Sequence, residues 1–142
     1  MNRNNVVEGP DNVAFFSRTY NEALTLTMEA RDYIAGKIGG SGAGFSAEVR
    51  LASACEEMRL TARLTQVMAW LLLQRAIHEE EVPRSEALKP ENRLSGAETC
   101  LAEPALPDVA LPPRLEDLLS RSRSLYERIQ RLDAMLDSNS NF

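Results

Sequence analysis

The chain has 142 residues, 44% of them hydrophobic, with a formal net charge of -5 and a pI near 5.0. That length suits one domain around one core, and the acidic balance leaves no bulk positive field for a nucleic-acid backbone or an anionic membrane. The longest apolar run, Val67 to Leu73, is far short of the ~20 residues of a membrane span, and Cys55 and Cys100 have neither metal-ligand spacing nor a preceding secretory signal, so a cytoplasmic chain with reduced thiols is expected.

In chain order, Val13, Phe16, Tyr20, Leu24, Thr27, Ile34 and Ile38 recur near helical spacing behind Asp11, a capping residue. This predicts helix 1 over 12–37. Gly39, Gly40, Gly42 and Gly44 then remove helix preference. The glycines follow a helix and lack a Gly-Lys-Ser/Thr ending, so they read as a link and not as a phosphate loop. Ser46 caps helix 2, predicted over 46–80 and about 50 Å long. Leu51, Cys55, Met58, Ala62, Thr65, Ala69, Leu72 and Ala76 lie on one stripe of three-four spacing, expected to be the inward seam, with Cys55 as an inert core thiol. Leu60, Leu64, Val67 and Leu71 form a second stripe, which Met68 and Trp70 widen, so this helix should be covered on more than one side.

The stretch 81–111, with Pro83, Pro90, Pro104 and Pro107, reads as a long loop with room for a helical turn at Gly96 to Leu101. Cys100 is expected to be accessible within it. Pro112-Pro113 opens helix 3, predicted over 113–137, on which Leu115, Leu118, Ser122, Leu125, Ile129, Leu132 and Leu136 keep heptad spacing. No alternation of strand type is present. The expected fold is all-α: one domain over 1–142, an antiparallel three-helix bundle with a long loop between helices 2 and 3.

Chemistry has little to work with. The single histidine, His78, stands beside Glu79, Glu80 and Glu81 without Glu-x-x-His or His-x-x-x-His spacing, and reads as a solvated helix end. No acid-base pair, nucleophile pair or metal cluster can be composed, so neither catalysis nor a cofactor is expected. Binding is the remaining class. Unexplained loop length makes Lys89, Arg93 and Leu94 candidates for partner contact, and Glu56, Arg59 and Arg63 border an apolar stripe of helix 2. Val67, Met68, Trp70 and Leu71 are candidates for a dimer interface.

Three segments carry a family resemblance: Phe15-Phe16-Ser17-Arg18-Thr19-Tyr20-Asn21-Glu22-Ala23-Leu24, the block from Glu57-Met58-Arg59-Leu60-Thr61 to Leu71-Leu72-Leu73-Gln74-Arg75-Ala76, and the Leu118 to Leu136 helix. From about Val13 to Leu136 the chain resembles the RcdA family of alphaproteobacteria. The resemblance implies a homodimeric three-helix bundle without a catalytic motif, an adaptor that helps ClpXP degrade cell-cycle proteins such as CtrA alongside CpdR-like and PopA-like proteins. Only Asp137 to Phe142 follow the last heptad leucine, where the family's adaptor has a longer extension, so substrate identity is not expected to transfer. The alternative is a dimeric regulatory or interaction protein unrelated to proteolysis, binding a small ligand between its helices.

Overall fold

A computed structural model describes residues 10–36 and 44–140, with side chains over 14–36 and 44–137. Four α-helices are present, α1 (Pro10–Gly36), α2 (Ala47–His78), α3 (Ala97–Cys100) and α4 (Pro113–Ser140), together with 3-10 turns at Arg84–Leu88 and Pro90–Asn92. No strand occurs among the described residues. The expected helices are all found, with shifted ends: α1 starts at Pro10, ahead of the Asp11 expected to cap it. Apart from Gly44, the glycine link lies outside the described residues.

Local chemistry accounts for the helix ends. Ser46 stands in extended backbone and its Oγ accepts from the Val49 N–H at 3.2 Å, the capping bond expected of it. At the far end Glu81 N–H donates to Ala76 O at 2.9 Å and Glu80 N–H to Ile77 O at 3.1 Å. These two bonds make a Schellman stop, with Glu80 at φ +59° where glycine is usual. Pro83 then bars any continuation. Pro113 occupies the first turn of α4, where its missing N–H is no loss, and Glu116 N–H donates to Pro112 O at 3.1 Å.

Each long helix packs on the other two. Leu26, Leu60, Val67, Leu115, Leu118, Leu125 and Ile129 are at most 1% exposed and make the centre of one core. On α4 the heptad positions face inward as predicted. On α2 the assignment is reversed: Leu60, Leu64, Val67 and Leu71 are buried, whereas Leu51, Met58, Thr65, Ala69 and Leu72 of the expected seam are exposed. The physical reason is volume, because the branched and larger side chains gain more by leaving water than the small stripe does. The cysteines are exchanged in the same way, with Cys55 only half-buried on the outer stripe and Cys100 1% exposed in the core.

Helix direction is read from cross-helix pairs. Glu22 meets Arg128 and Glu29 meets Arg121, so α1 and α4 are antiparallel. Arg63 reaches Leu119 and Ser122 while Trp70 reaches Asp133, so α4 runs the same way as α2. This differs from an all-antiparallel order. A parallel neighbour requires the intervening chain to travel back along the whole of α2, and that is what 81–111 does: it is an ordered crossover with three short helical turns, and not a featureless loop.

Candidate partner-binding surface

The charged candidates on α2 fasten this crossover. Arg59 donates from Nε to Thr99 O at 3.0 Å and from Nη2 to Glu103 O at 3.1 Å, and its remaining arm pairs with Glu56. Glu56, 4% exposed, also accepts from the Ala105 N–H at 3.4 Å. Arg63, likewise 4% exposed, donates to Cys100 O at 2.6 Å, Leu119 O at 3.0 Å and Ser122 Oγ at 3.2 Å, joining α2, the crossover and α4 through one guanidinium. Burial, followed by the like charges of Arg123 and Arg59, holds its pKa below the ordinary arginine value. Burial also pushes the Cys100 thiol up.

The crossover candidates divide. Arg93 donates from Nε to Asp133 Oδ1 at 3.0 Å, from Nη2 to Asp133 O at 2.9 Å and from Nη1 to Asp137 Oδ1 at 2.8 Å. Hydrogen bonds to Asp137 and then Asp133 raise its pKa further above neutrality. Leu94 packs against the core and its N–H donates to Asp133 Oδ1 at 3.3 Å. Lys89 remains outward, its side chain half exposed and paired with Glu86 at 2.6 Å. Substitution at Arg93 or Leu94 therefore disturbs packing as well as any partner contact.

Asp133 is the residue that sequence reasoning missed. Its Oδ1 accepts from Trp70 Nε1 at 2.9 Å as well as from Arg93 and Leu94. A carboxylate one turn beyond Ile129, on the apolar face of α4, was the available signal: an acid there needs donors from other elements. Tyr126 and Gln66 complete the seating of the crossover. The Tyr126 hydroxyl donates to Ser95 O at 2.8 Å, and burial pushes its pKa up to about 12. Gln66 Oε1 accepts from the Ser95 N–H at 3.2 Å.

The dimer-interface candidates sit differently from expectation. Val67, Trp70 and Leu71 are at most 3% exposed inside the chain's own core, and Met68 packs at its margin. The apolar surface left to water on α2 is the outer stripe. Between α1 and the end of α2, Phe16, Ser17, Tyr20, Asn21, Leu71, Arg75, His78 and Glu79 line an open cleft of about 390 Å³. There the Phe16 ring lies 4.7 Å from His78 and Arg75 stands 5.2 Å over Tyr20. Among the described residues no helix is long and apolar enough to cross a membrane, and no His, Cys, Asp and Glu cluster could hold a metal ion.

Two carboxylates give the stability an acid limit. The Arg93 hydrogen bond holds Asp137 below its usual pKa, and Arg121 does the same for Glu29. A depressed folded-state pKa contributes stability that is fully present above the unfolded value, near pH ~4, and is lost as pH falls through the folded one. The melting temperature should therefore fall below about pH 4, and less steeply in a Glu29→Gln, Asp137→Asn variant. Parallel pH profiles for the two proteins would exclude these pairs as the cause.

The DUF1465 family, described as proteins of unknown function, matches residues 11–142. The crystal structure of RcdA from Caulobacter crescentus CB15 is similar at 38% sequence identity, covering 83% of this chain and 87% of that one, with a TM-score of 0.63. No curated protein matches the sequence. With its family profile matched over nearly the whole length and its fold shared with RcdA, the chain belongs to DUF1465, the RcdA family.

Proposed function

We propose that this protein is a cytoplasmic adaptor in regulated proteolysis: a homodimeric three-helix bundle that presents substrates such as CtrA to ClpXP, alongside CpdR-like and PopA-like proteins. The observation that carries the reading is the similarity to RcdA over most of both chains. The role asks no chemistry of this chain, because tethering raises the substrate's effective concentration at the protease. Within that reading Lys89 is the partner-contact residue. Arg93, Leu94, Glu56, Arg59 and Arg63 hold the crossover that carries it. The 390 Å³ cleft favours the second reading, a regulator with a small ligand between helices. It ranks lower because Arg75, the cleft's cation, is already held by Glu79 and the Tyr20 ring.

Degradation of purified CtrA by ClpXP and its primer proteins, with and without this chain, decides the matter. Faster loss of substrate is expected, reduced by Lys89→Glu at an unchanged melting temperature. An unchanged rate across the reconstituted set would remove the adaptor role, and a rate insensitive to Lys89→Glu would remove the crossover surface.

A further inference from the structure

Along the groove between α1 and α4 charge is matched level by level. Glu29 pairs with Arg121 and, at 3.1 Å, with Arg114; Arg121 also pairs with Asp117 at 3.1 Å, and Glu22 with Arg128 at 2.6 Å. The pairs Glu29 with Arg121 and Glu22 with Arg128 set one antiparallel register, in which each turn of α1 toward Pro10 is met by a turn of α4 toward Ser140.

The next level breaks the pattern. Arg18 stands one turn before Glu22 and Arg131 one turn after Arg128, so two bases come level to within about 2 Å along the helices at 1.5 Å per residue. Both are exposed, and neither makes a hydrogen bond or an ion pair among the described residues. The nearest acids are engaged elsewhere: Glu22 holds Arg128, and Glu127, one turn before Arg131, holds Arg123 at 2.8 Å. A chain with a net charge of -5 thus concentrates unpaired positive charge at one place on this face. Like charges side by side contribute nothing to folding.

One turn further toward the same pole, Phe15 of α1 and Met135 of α4 come level. Met135 is 56% exposed, and the half-buried Phe15 meets Phe16 edge to face with centroids 5.9 Å apart. An apolar step therefore adjoins the two guanidiniums. A nucleic-acid backbone needs phosphate contacts in succession, and the groove beyond Arg128 is neutralised by Glu22, Glu29 and Asp117. A small anion has no use for the apolar step. An acidic stretch of protein with one large apolar side chain uses both parts, through carboxylate to guanidinium pairs and burial of Met135.

We propose that the α1 and α4 groove at Arg18 and Arg131 is a docking surface for an acidic segment of a partner protein. Its carboxylates pair with the two guanidiniums and its leucine or aromatic side chain covers Met135 and Phe15. The surface lies on the α1 side of α4, away from the crossover that carries Lys89, and the inference holds whether or not the partner is bound for a protease.

The probe is a fluorescein-labelled peptide, Asp-Glu-Leu-Glu-Asp-Leu-Glu, titrated into the full-length 15N-labelled protein. Backbone resonances of Phe15, Arg18, Arg131 and Met135 should move while those of Arg114 and Arg121 stay in place, and the affinity read by anisotropy should weaken as salt rises. Arg18→Glu with Arg131→Glu should lower that affinity at least about tenfold with the circular dichroism melt unchanged, because both side chains are exposed and unpaired. Absence of binding, resonance changes confined to another surface, or an affinity indifferent to the double reversal would overturn the proposal. A peptide with serine in place of its leucines should bind more weakly; equal binding would show a site that takes any anion by charge alone and would also overturn it. The degradation assay judges the adaptor role separately from each of these results.

Discussion

Ile129→Asp should abolish cooperative thermal unfolding above room temperature, leaving a protein without a fixed core. Ile129 has no exposed surface and sits on the α4 face that α1 and α2 cover. The substitution forfeits about 2–3 kcal/mol of apolar burial. It also places a carboxylate where nothing can pair with it, which costs several kcal/mol more even if the group takes up a proton. Asp133, one turn on, adds a like charge. Set against a total stability of about 5–15 kcal/mol, the sum is decisive. Circular dichroism at 222 nm during heating reads the result. A melting temperature within a few degrees of wild type would mean that α4 does not pack as described.

Arg63→Ala should be the most damaging change among the charged residues of α2, lowering stability by about 3–5 kcal/mol. One guanidinium serves three acceptors on two other elements, the crossover carbonyl of Cys100 and the Leu119 carbonyl and Ser122 hydroxyl of α4. Its removal strands the Cys100 carbonyl, takes a donor from the Leu119 carbonyl and the Ser122 hydroxyl, and leaves a void the size of the side chain. Arg63→Lys should recover little, because an ammonium is a single point and cannot span acceptors arranged for a planar fork. Chemical denaturation of the three proteins gives the comparison. A loss below about 1 kcal/mol for Arg63→Ala would show the guanidinium to be dispensable, an ordinary surface value.

The positions of the long helices were legible because they depend on local information: apolar spacing, a serine cap, and the glycines and prolines between elements. Which stripe of α2 faces inward was not. Both stripes are apolar, both obey helical spacing, and only the volume available between α1 and α4 selects Leu60, Leu64, Val67 and Leu71. The cysteines were misplaced for the same reason, since Cys55 follows the outer stripe and Cys100 is carried inward by the crossover. The crossover itself has no periodicity to read. Its order comes from Arg59 and Arg63, distant in sequence, which donate to its backbone carbonyls, and from its own Arg93, which donates to Asp133 and Asp137 of α4, and none of these pairings leaves a trace in residue type. Arg59, Arg63 and Arg93 therefore looked like surface charges awaiting a partner, when their partners lay within the chain. The direction of α4 was open for a related reason, because a short link enforces an antiparallel neighbour while a long one permits either.

That direction also governs how the molecule can be held. The Glu22 and Arg128 pair lies as far from Pro10 along α1 as from Ser140 along α4, so both helices reach the same pole. The opposite pole carries the start of α2 and the entry to α4. A load fixed directly at Pro10 or at Ser140 therefore burdens one pole and leaves the other clear.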